Sequence, residues 1–215
     1  EGLVLSGGHH TDGTRNLALG RGLPVIEMWD LPASPLGHVV GFSNGDAMSH
    51  IVGHLVATGR RKLAFVGASE GADMRGAARR AGVVRAARMH RLPEVAIIDA
   101  GPAPVSMRHG AAVIEAMGQD VAQYDALVCV SDPVAFGCLS AVQRMGLRVP
   151  EDLAITGFGH FEVAKVSNPR ITTVNVQAED IGRQVVGLLQ GIFDGEISEP
   201  AWIDVGSTLV IGETS

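Results

Sequence analysis

Two hydrophobic patterns alternate along this chain: short apolar runs, and longer segments whose apolar residues recur at helical spacing. The clearest run covers residues 126–130 and is rich in valine and leucine, as expected of a strand buried on both faces. The Ser-Asp-Pro sequence at 131–133 suits a helix start, because proline at the first turn loses no hydrogen bond and the polar side chains can cap exposed amides. Gly146 ends that helix, and an apolar run at 153–157 completes a βαβ unit.

The same alternation extends over the whole chain and predicts its fold class. Because predicted strands and helices alternate almost without exception, the sequence indicates an α/β fold with parallel sheets and helices on both faces. Further strands are predicted at 1–8, 24–28, 38–43, 63–66, 95–99, 171–174, 202–205 and 208–211, and further helices at 12–20, 46–57, 73–89, 106–117 and 178–193.

Composition narrows the class of protein. Aromatic residues make up only 4% of the 215 residues, so the core is expected to be aliphatic. The formal net charge of −6, without any Lys/Arg-rich run, argues against direct binding of this chain to a nucleic-acid backbone. Cys129 and Cys138 fall inside a predicted strand and helix, which suits buried free thiols in a reducing, cytoplasmic compartment. No apolar run reaches the length needed to cross a membrane.

An ordered set of motifs resembles one protein family. Ser131-Asp132 is followed by G-L-R-V-P-E-D at 146–152 and by G-F-G-H at 157–160, and the segment 54–67 reads H-L-V-A-T-G-R-R-K-L-A-F-V-G. This order resembles the effector-binding domain of bacterial transcriptional repressors of the LacI/GalR family. The resemblance runs from Glu1 to about Ile211, essentially the whole chain.

The resemblance implies a two-lobed periplasmic-binding-protein-like fold with parallel sheets. The N-lobe would comprise residues 1–43 and 178–204, and the C-lobe residues 44–177 and 205–215. The chain opens within an apolar run and without an initiating methionine. We therefore expect an N-lobe truncated at its amino end, with the helix-turn-helix DNA-binding domain absent from this chain.

The function that the resemblance implies is that of a ligand sensor, not an enzyme. A small sugar or sugar acid would bind between the lobes of a homodimer and switch its affinity for operator DNA, which the missing N-terminal domain would contact. V-G-F-S-N at 40–44 looks like the gluconate-responsive branch. The alternative is a periplasmic sugar-binding protein of a transport system, although the V-P-x-D turn and the T-G-R-R-K junction favour the repressor.

Six candidate ligand-binding residues belong to the predicted C-lobe. In an open parallel sheet, ligands bind beyond the carboxyl ends of the strands. The resemblance adds Arg79, three residues before Gly82 in an R-x-x-G motif, whose guanidinium would hold ligand oxygens. A solvated surface arginine and a plain helix cap are the structural alternatives. The six candidates are Arg79, Ser131, Asp132, Asp73, Arg75 and His160, with Asp132 expected to face the pocket.

The predicted N-lobe contributes four more candidates at the ends of its second and third strands. Trp29 falls where the family commonly has a pocket aspartate, and an indole there could stack on the apolar face of a ligand. Packing of Trp29 on Pro32 is the structural alternative. The other three candidates in this lobe are Glu27, Asp30 and Phe42.

No catalytic, metal or cofactor site is predicted. His50 and His54 lie four residues apart on a helix, but no third ligand with suitable spacing follows them. The loop at 67–71 begins and ends with glycine, but it lacks the lysine of a phosphate-binding loop. No motif supports a Ser/His/Asp catalytic triad.

Overall fold

The structure is a computed structural model that describes residues 1–69, 71 and 73–215. The chain divides into two compact units. The first comprises Glu1–Ser43 and Val176–Ser207, and the second comprises Asn44–Asn175 and Thr208–Ser215.

The first unit contains a four-stranded parallel sheet. Strands β1 (Leu3–Ser6), β2 (Val25–Met28), β3 (His38–Gly41) and β9 (Trp202–Asp204) pair in that order, and the helices are α1 (Asp12–Gly20) and α7 (Ala178–Phe193). Helix α7 packs on β2 and β3. It buries Ile181, Val185 and Leu188, whose spacing of four and three places them on one helical face.

The second unit also contains a four-stranded parallel sheet, together with a separate antiparallel pair. Its strands are β4 (Leu63–Gly67), β5 (Ala96–Asp99), β6 (Ala126–Cys129), β7 (Ala154–Thr156), β8 (Thr173–Asn175) and β10 (Thr208–Val210). The sheet has the order β5-β4-β6-β7, and β8 pairs antiparallel with β10. The helices are α2 (Asn44–Ala57), α3 (Met74–Met89), α4 (Met107–Met117), α5 (Asp132–Arg144) and α6 (Glu162–Val166), with a 3-10 helix at Gly118–Gln123.

Glycines let the helices of the second unit approach one another closely. Helix α2 packs on α3, and α4 packs on α5. A Cβ atom at Gly82 would collide with the carbonyl oxygen of Gly45, and one at Gly137 would collide with the carbonyl oxygen of Met107. These contacts set the depth at which α3 and α5 lie against their neighbours.

The predicted α/β class with parallel sheets is confirmed, with two additions. The pairing of β8 with β10 is antiparallel, and it joins segments that lie far apart in the sequence. Helix α6 and the 3-10 helix were not predicted, because five or six residues are too few to display a helical period.

Candidate functional site

A cleft of about 570 Å³ lies in the second unit, in the segments that follow the carboxyl ends of its parallel strands. This is the edge at which open parallel sheets bind ligands. Four predicted residues, Asp73, Arg75, Arg79 and Ser131, come together there. We call this site the second-unit cleft, lined by Asp73, Arg75, Arg79, Ala103, Pro104, Val105, Val130, Ser131, Pro133 and Phe161.

Arg79 is held rigidly at the second-unit cleft. Its Nε donates to Asn44 Oδ1 at 2.9 Å, and its Nη1 donates to the carbonyl oxygen of Val130 at 3.0 Å. The guanidinium carbon lies 3.9 Å from the centre of the Phe158 ring, in a cation–π contact. A solvated surface arginine would have none of these constraints, so this alternative does not describe Arg79.

The R-x-x-G spacing explains how Arg79 reaches these partners. Gly82 has no side chain, and α3 therefore contacts the backbone of α2 at Gly45. Arg79 lies three residues earlier on the same face of α3, where it meets the neighbouring residue of α2, Asn44. Asn44 is 2% exposed, so its amide oxygen needs a hydrogen-bond donor from the protein, and Arg79 supplies one.

Ser131 and Asp132 have different surroundings. Ser131 lines the second-unit cleft as the residue that precedes α5, and its hydroxyl makes no capping hydrogen bond among the described residues. Asp132 is 0% exposed, and its carboxylate accepts from Thr173 Oγ1 at 2.6 Å and from the Phe161 N–H at 2.7 Å. The expectation that Asp132 faces the pocket is corrected, because both carboxylate oxygens are turned into the protein.

Burial raises the pKa of the Asp132 carboxyl above its ordinary value, and the hydrogen bonds partly oppose that change. The largest opposing contribution comes from the Thr173 hydroxyl, followed by backbone N–H groups of the segment Phe158–Phe161. The buried Asp132 carboxylate therefore has a structural role, because its hydrogen bonds connect α5 to Phe161 and to Thr173.

Positive charge predominates in the second-unit cleft. Arg75 and Arg79 contribute two guanidinium groups, while Asp73 is the one carboxylate among the described lining residues. Asp73 caps α3 by accepting the Gly76 N–H at 2.9 Å. The cleft is therefore suited to an anionic ligand.

The cleft also has an apolar wall. Pro104, Val105, Pro133 and Phe161 line it, and the Phe161 side chain is 55% exposed. A ligand with both charged and apolar faces would find a partner for each at this site.

His160 lies at a different cavity. It adopts a left-handed backbone conformation with φ of 54°, and its N–H donates to Thr173 Oγ1 at 3.3 Å. With Lys165 and Arg170 it lines a separate cavity of about 130 Å³. Burial, and then the charge of Lys165, lower the pKa of its imidazole. The structure therefore does not bring His160 together with Arg79 and Ser131 in the cleft.

The first unit holds the other four candidates: Glu27 lies within β2, Trp29 and Asp30 follow β2, and Phe42 follows β3. Glu27 is 1% exposed, with Oε1 hydrogen-bonded to His10 Nε2 at 2.7 Å and Oε2 accepting the Leu36 N–H at 2.7 Å. This carboxylate joins β2 to two loops, so its surroundings are structural. Trp29 is half-buried with φ of 74°, and its N–H donates to the carbonyl oxygen of Val40 at 3.2 Å.

Asp30 and Phe42 follow the carboxyl ends of β2 and β3, which are neighbours in the sheet. Asp30 Oδ1 accepts the Leu31 N–H at 2.9 Å, and the backbone of Asp30 lies so close to Gly41 that a Cβ atom at Gly41 would collide with it. Phe42 is 2% exposed and belongs to the core of the chain. Ligand contacts by the first-unit residues remain predictions.

Comparison with known proteins identifies the family. A family model described as a periplasmic binding protein-like domain matches residues 52–215. The crystal structure of a LacI family transcriptional regulator from Silicibacter pomeroyi is 37% identical and has a TM-score of 0.89, covering 100% of this chain and 77% of that one. The chain belongs to the LacI family.

Two further relatives of this LacI-family chain are both named GntR. The transcription regulator GntR from Chromobacterium violaceum is 33% identical, with a TM-score of 0.89, and the match covers 100% of this chain and 78% of that one. The HTH-type transcriptional regulator GntR of Escherichia coli K12 is 30% identical over 220 residues, or 99% of this chain and 63% of the relative. The chain therefore spans less than two thirds of that relative. Because these relatives are transcriptional regulators, the transport-protein alternative is not favoured.

Three residues of this LacI-family site are not among the ligand-binding candidates predicted from the sequence. Asn44 and Phe158 hold the guanidinium of Arg79, and Phe161 forms a wall of the cleft. The G-F-G-H-F turn was visible in the sequence, but only its polar positions were considered as ligand contacts. Phe158 and Phe161 directly follow the carboxyl end of β7, and this position beyond a strand end is the signal that could have identified them.

Two further findings concern the described residues of this LacI-family chain. No group of three or more His, Cys, Asp or Glu residues among them is placed to hold a metal ion. Within the same part of the chain, every helix is too short or too polar to cross a membrane.

Proposed function

We propose that the second-unit cleft is the effector site of a LacI-family transcriptional regulator and that its effector is a sugar acid such as gluconate. The observation that carries this proposal is the guanidinium of Arg79, which Asn44, Val130 and Phe158 hold at the cleft. A pre-oriented cation loses little conformational entropy when it binds a carboxylate.

The other lining groups match the remaining parts of such a ligand. The Ser131 hydroxyl can donate to and accept from a sugar hydroxyl, and Arg75 adds a second cation for the carboxylate. Phe161 and the prolines offer apolar contact to the C–H face of a polyol chain.

An acid is preferred over a neutral sugar because of the residues at the turn after β7. In the family this chain resembles, one or both of the last two positions of this turn are commonly acidic, whereas Gly159 and His160 stand here. The turn that carries the cleft residue Phe161 therefore supplies no carboxylate acceptor for neutral sugar hydroxyls. The excess of guanidinium groups then favours an anion.

The proposed regulator acts on DNA through a part of the protein outside this chain. Its Escherichia coli relative is named an HTH-type regulator, and the net charge of −6 makes this chain a poor partner for phosphate groups. Effector binding would shift the population between two states of a cytoplasmic homodimer that differ in operator affinity. This function requires no catalysis.

The test is isothermal titration calorimetry with D-gluconate and with D-glucitol, its uncharged analogue. The wild-type chain should bind gluconate and discriminate against glucitol. Arg79→Ala should weaken gluconate binding roughly 10- to 150-fold, since a charge-assisted hydrogen bond contributes roughly 1.5–3 kcal/mol. The matched control is Arg88→Ala, which removes an exposed arginine from the last turn of the same helix and should leave the affinity unchanged.

Thermal unfolding of each variant separates binding from folding, because Arg79 also supports Asn44. Arg79→Lys retains the charge but loses the planar fork, and we expect it to recover little affinity. Equal affinity of wild-type and Arg79→Ala chains for gluconate, or equal affinity of the wild type for gluconate and glucitol, would contradict the proposal.

A further inference from the structure

The buried carboxylate of Asp132 joins three segments of the second unit. Asp132 begins α5, beside the cleft residue Ser131. Its Oδ2 accepts the N–H of Phe161, another cleft residue, at 2.7 Å. Its Oδ1 accepts the hydroxyl of Thr173, the first residue of β8, at 2.6 Å.

The backbone around this carboxylate is fixed by further hydrogen bonds. The Asp132 N–H donates to the carbonyl oxygen of Phe158 at 3.0 Å, which ties α5 to the turn after β7. Within that turn, the Gly159 N–H donates to the carbonyl oxygen of Val174 at 3.0 Å. Gly157 leaves room for the carboxylate, since a Cβ atom there would collide with Asp132 Oδ1. The turn is thus held between α5 and β8.

The same turn supports the cleft on two sides. Phe158 lies under the guanidinium of Arg79, and Phe161 lines the cleft directly. A ligand that contacts Arg79, Ser131 or Phe161 therefore restrains groups that are one or two hydrogen bonds away from β8. Strand β8 ends at Asn175, where the chain leaves the second unit.

We propose that Asp132 is a positioning residue that couples occupancy of the second-unit cleft to strand β8 through the hydroxyl of Thr173. The inference rests on the proposed effector function of the cleft. Occupancy restrains the turn that carries Phe158 and Phe161, and the Asp132–Thr173 hydrogen bond conveys the restraint to the segment that leaves the unit. Coupling of this kind requires a ligand that interacts differently with the restrained and the relaxed turn.

Thr173→Val tests the coupling without removing a cleft residue. Valine keeps the branched shape but can neither donate to Asp132 Oδ1 nor accept the His160 N–H. Protection is therefore taken as the change in exchange that gluconate causes within each variant. The readout is amide hydrogen–deuterium exchange of peptides covering 158–162 and 172–176, with and without saturating D-gluconate. In the wild-type chain, gluconate should slow exchange in both peptides. In Thr173→Val, protection of 158–162 should persist while protection of 172–176 is lost.

Three further variants separate positioning from general stability. Thr156→Val removes another buried threonine hydroxyl of the same unit, which donates to Leu127, and it should retain protection of both peptides. Thr173→Ser restores the donor and should restore protection of 172–176. Asp132→Asn should lose the protection of 172–176. Asparagine has one carbonyl oxygen where aspartate has two, so it cannot accept from the Thr173 hydroxyl on one oxygen and from the Phe161 N–H on the other.

The outcomes are distinguishable. Gluconate protection of 172–176 in Thr173→Val at the wild-type level would overturn the coupling and leave the effector site intact. Loss of that protection in Thr156→Val as well would also overturn it, since the effect would then follow stability alone. If gluconate protects neither peptide of the wild-type chain and gives no binding heat, the proposed function is contradicted, and this inference with it.

Discussion

Asp152 shows how one surface residue organises the turn between α5 and β7. Its Oδ2 accepts the Arg148 N–H at 2.9 Å and Arg148 Nε at 3.0 Å, and its Oδ1 accepts Arg148 Nη2 at 2.6 Å. The side-chain hydrogen bond to Arg148, together with the backbone one, lowers the pKa of the Asp152 carboxyl from 3.8 to about 2. The V-P-x-D turn of the family thus has a physical basis here.

The pKa of Asp152 gives a prediction with a defined sign. Because the folded-state pKa lies below the unfolded one, the ionised carboxylate stabilises the turn above about pH 4, and this contribution is lost as the pH falls towards 2. The carboxyl carbon of Asp152, followed by NMR, should titrate with a midpoint near 2. In Arg148→Ala the midpoint should rise towards 3.8.

A second surface ion pair supplies the control for this titration. Arg183 pairs with Asp180 on α7, in the other unit, so Arg183→Ala should leave the Asp152 midpoint unchanged. A midpoint near 2 that survives in Arg148→Ala would show that the Arg148 guanidinium is not the cause of the low pKa of Asp152.

Individual site residues differ in how far the sequence predicts them. Arg79 and Ser131 could be placed at the cleft because their positions follow from a motif and from the end of a strand. The direction of Asp132 could not be predicted, since it depends on Thr173, which lies 41 residues further along the chain. The side chain of a helix-capping residue points either outwards or inwards according to such tertiary partners.

At the scale of elements, helices with clear ends were predicted best. Helices α1 and α7 have the predicted bounds of 12–20 and 178–193. The boundary of α1 follows from Thr11, which accepts the Thr14 N–H as a cap. The antiparallel pairing of β8 with β10 escaped prediction, because strand direction depends on the path of the chain between the two strands and not on their own residues.

The contact between α4 and α5 gives a prediction at this scale. Gly137 lies on α5 where a Cβ atom would collide with the carbonyl oxygen of Met107, so Gly137→Ala must force the helices apart. We expect a loss of roughly 1–3 kcal/mol in the free energy of unfolding, as for other overpacked contacts. Chemical denaturation followed by circular dichroism measures it.

A helical glycine in open space is the matched control for Gly137. Gly53 lies within α2, and a Cβ atom there would meet no atom within 4 Å among the described residues outside its own helix. Gly53→Ala should therefore gain roughly 0.5–1 kcal/mol, because alanine has the higher helix propensity. Equal effects of the two substitutions would contradict the packing role of Gly137.

At the scale of the whole molecule, the family resemblance predicted more than the local patterns did. Periodicity and composition lead only to an α/β protein with an aliphatic core. The ordered motifs between Ser131 and His160 led to the LacI family, which the comparisons confirm. Which residues of the first unit touch a ligand could not be derived in this way, since Trp29 replaces a family aspartate and has no precedent in the motif.

Trp29 provides the last prediction, and the composition of the chain makes it measurable. The chain has two tryptophans, Trp29 and Trp202, and both belong to the first unit. In Trp202→Phe, all tryptophan emission comes from Trp29. If Trp29 contacts the ligand, D-gluconate should change this emission, reduce its quenching by acrylamide, and do so with the affinity that calorimetry gives.

The reciprocal variant completes the test. Trp29→Phe should bind gluconate several-fold more weakly, because a smaller ring buries less ligand surface. Its remaining fluorophore, Trp202, is 51% exposed and should not respond. Calorimetric binding in Trp202→Phe without any change in emission or quenching would remove Trp29 from the ligand contacts. The effector would then be recognised by the second-unit cleft without the indole, and its apolar face would be left to Phe161 and the prolines.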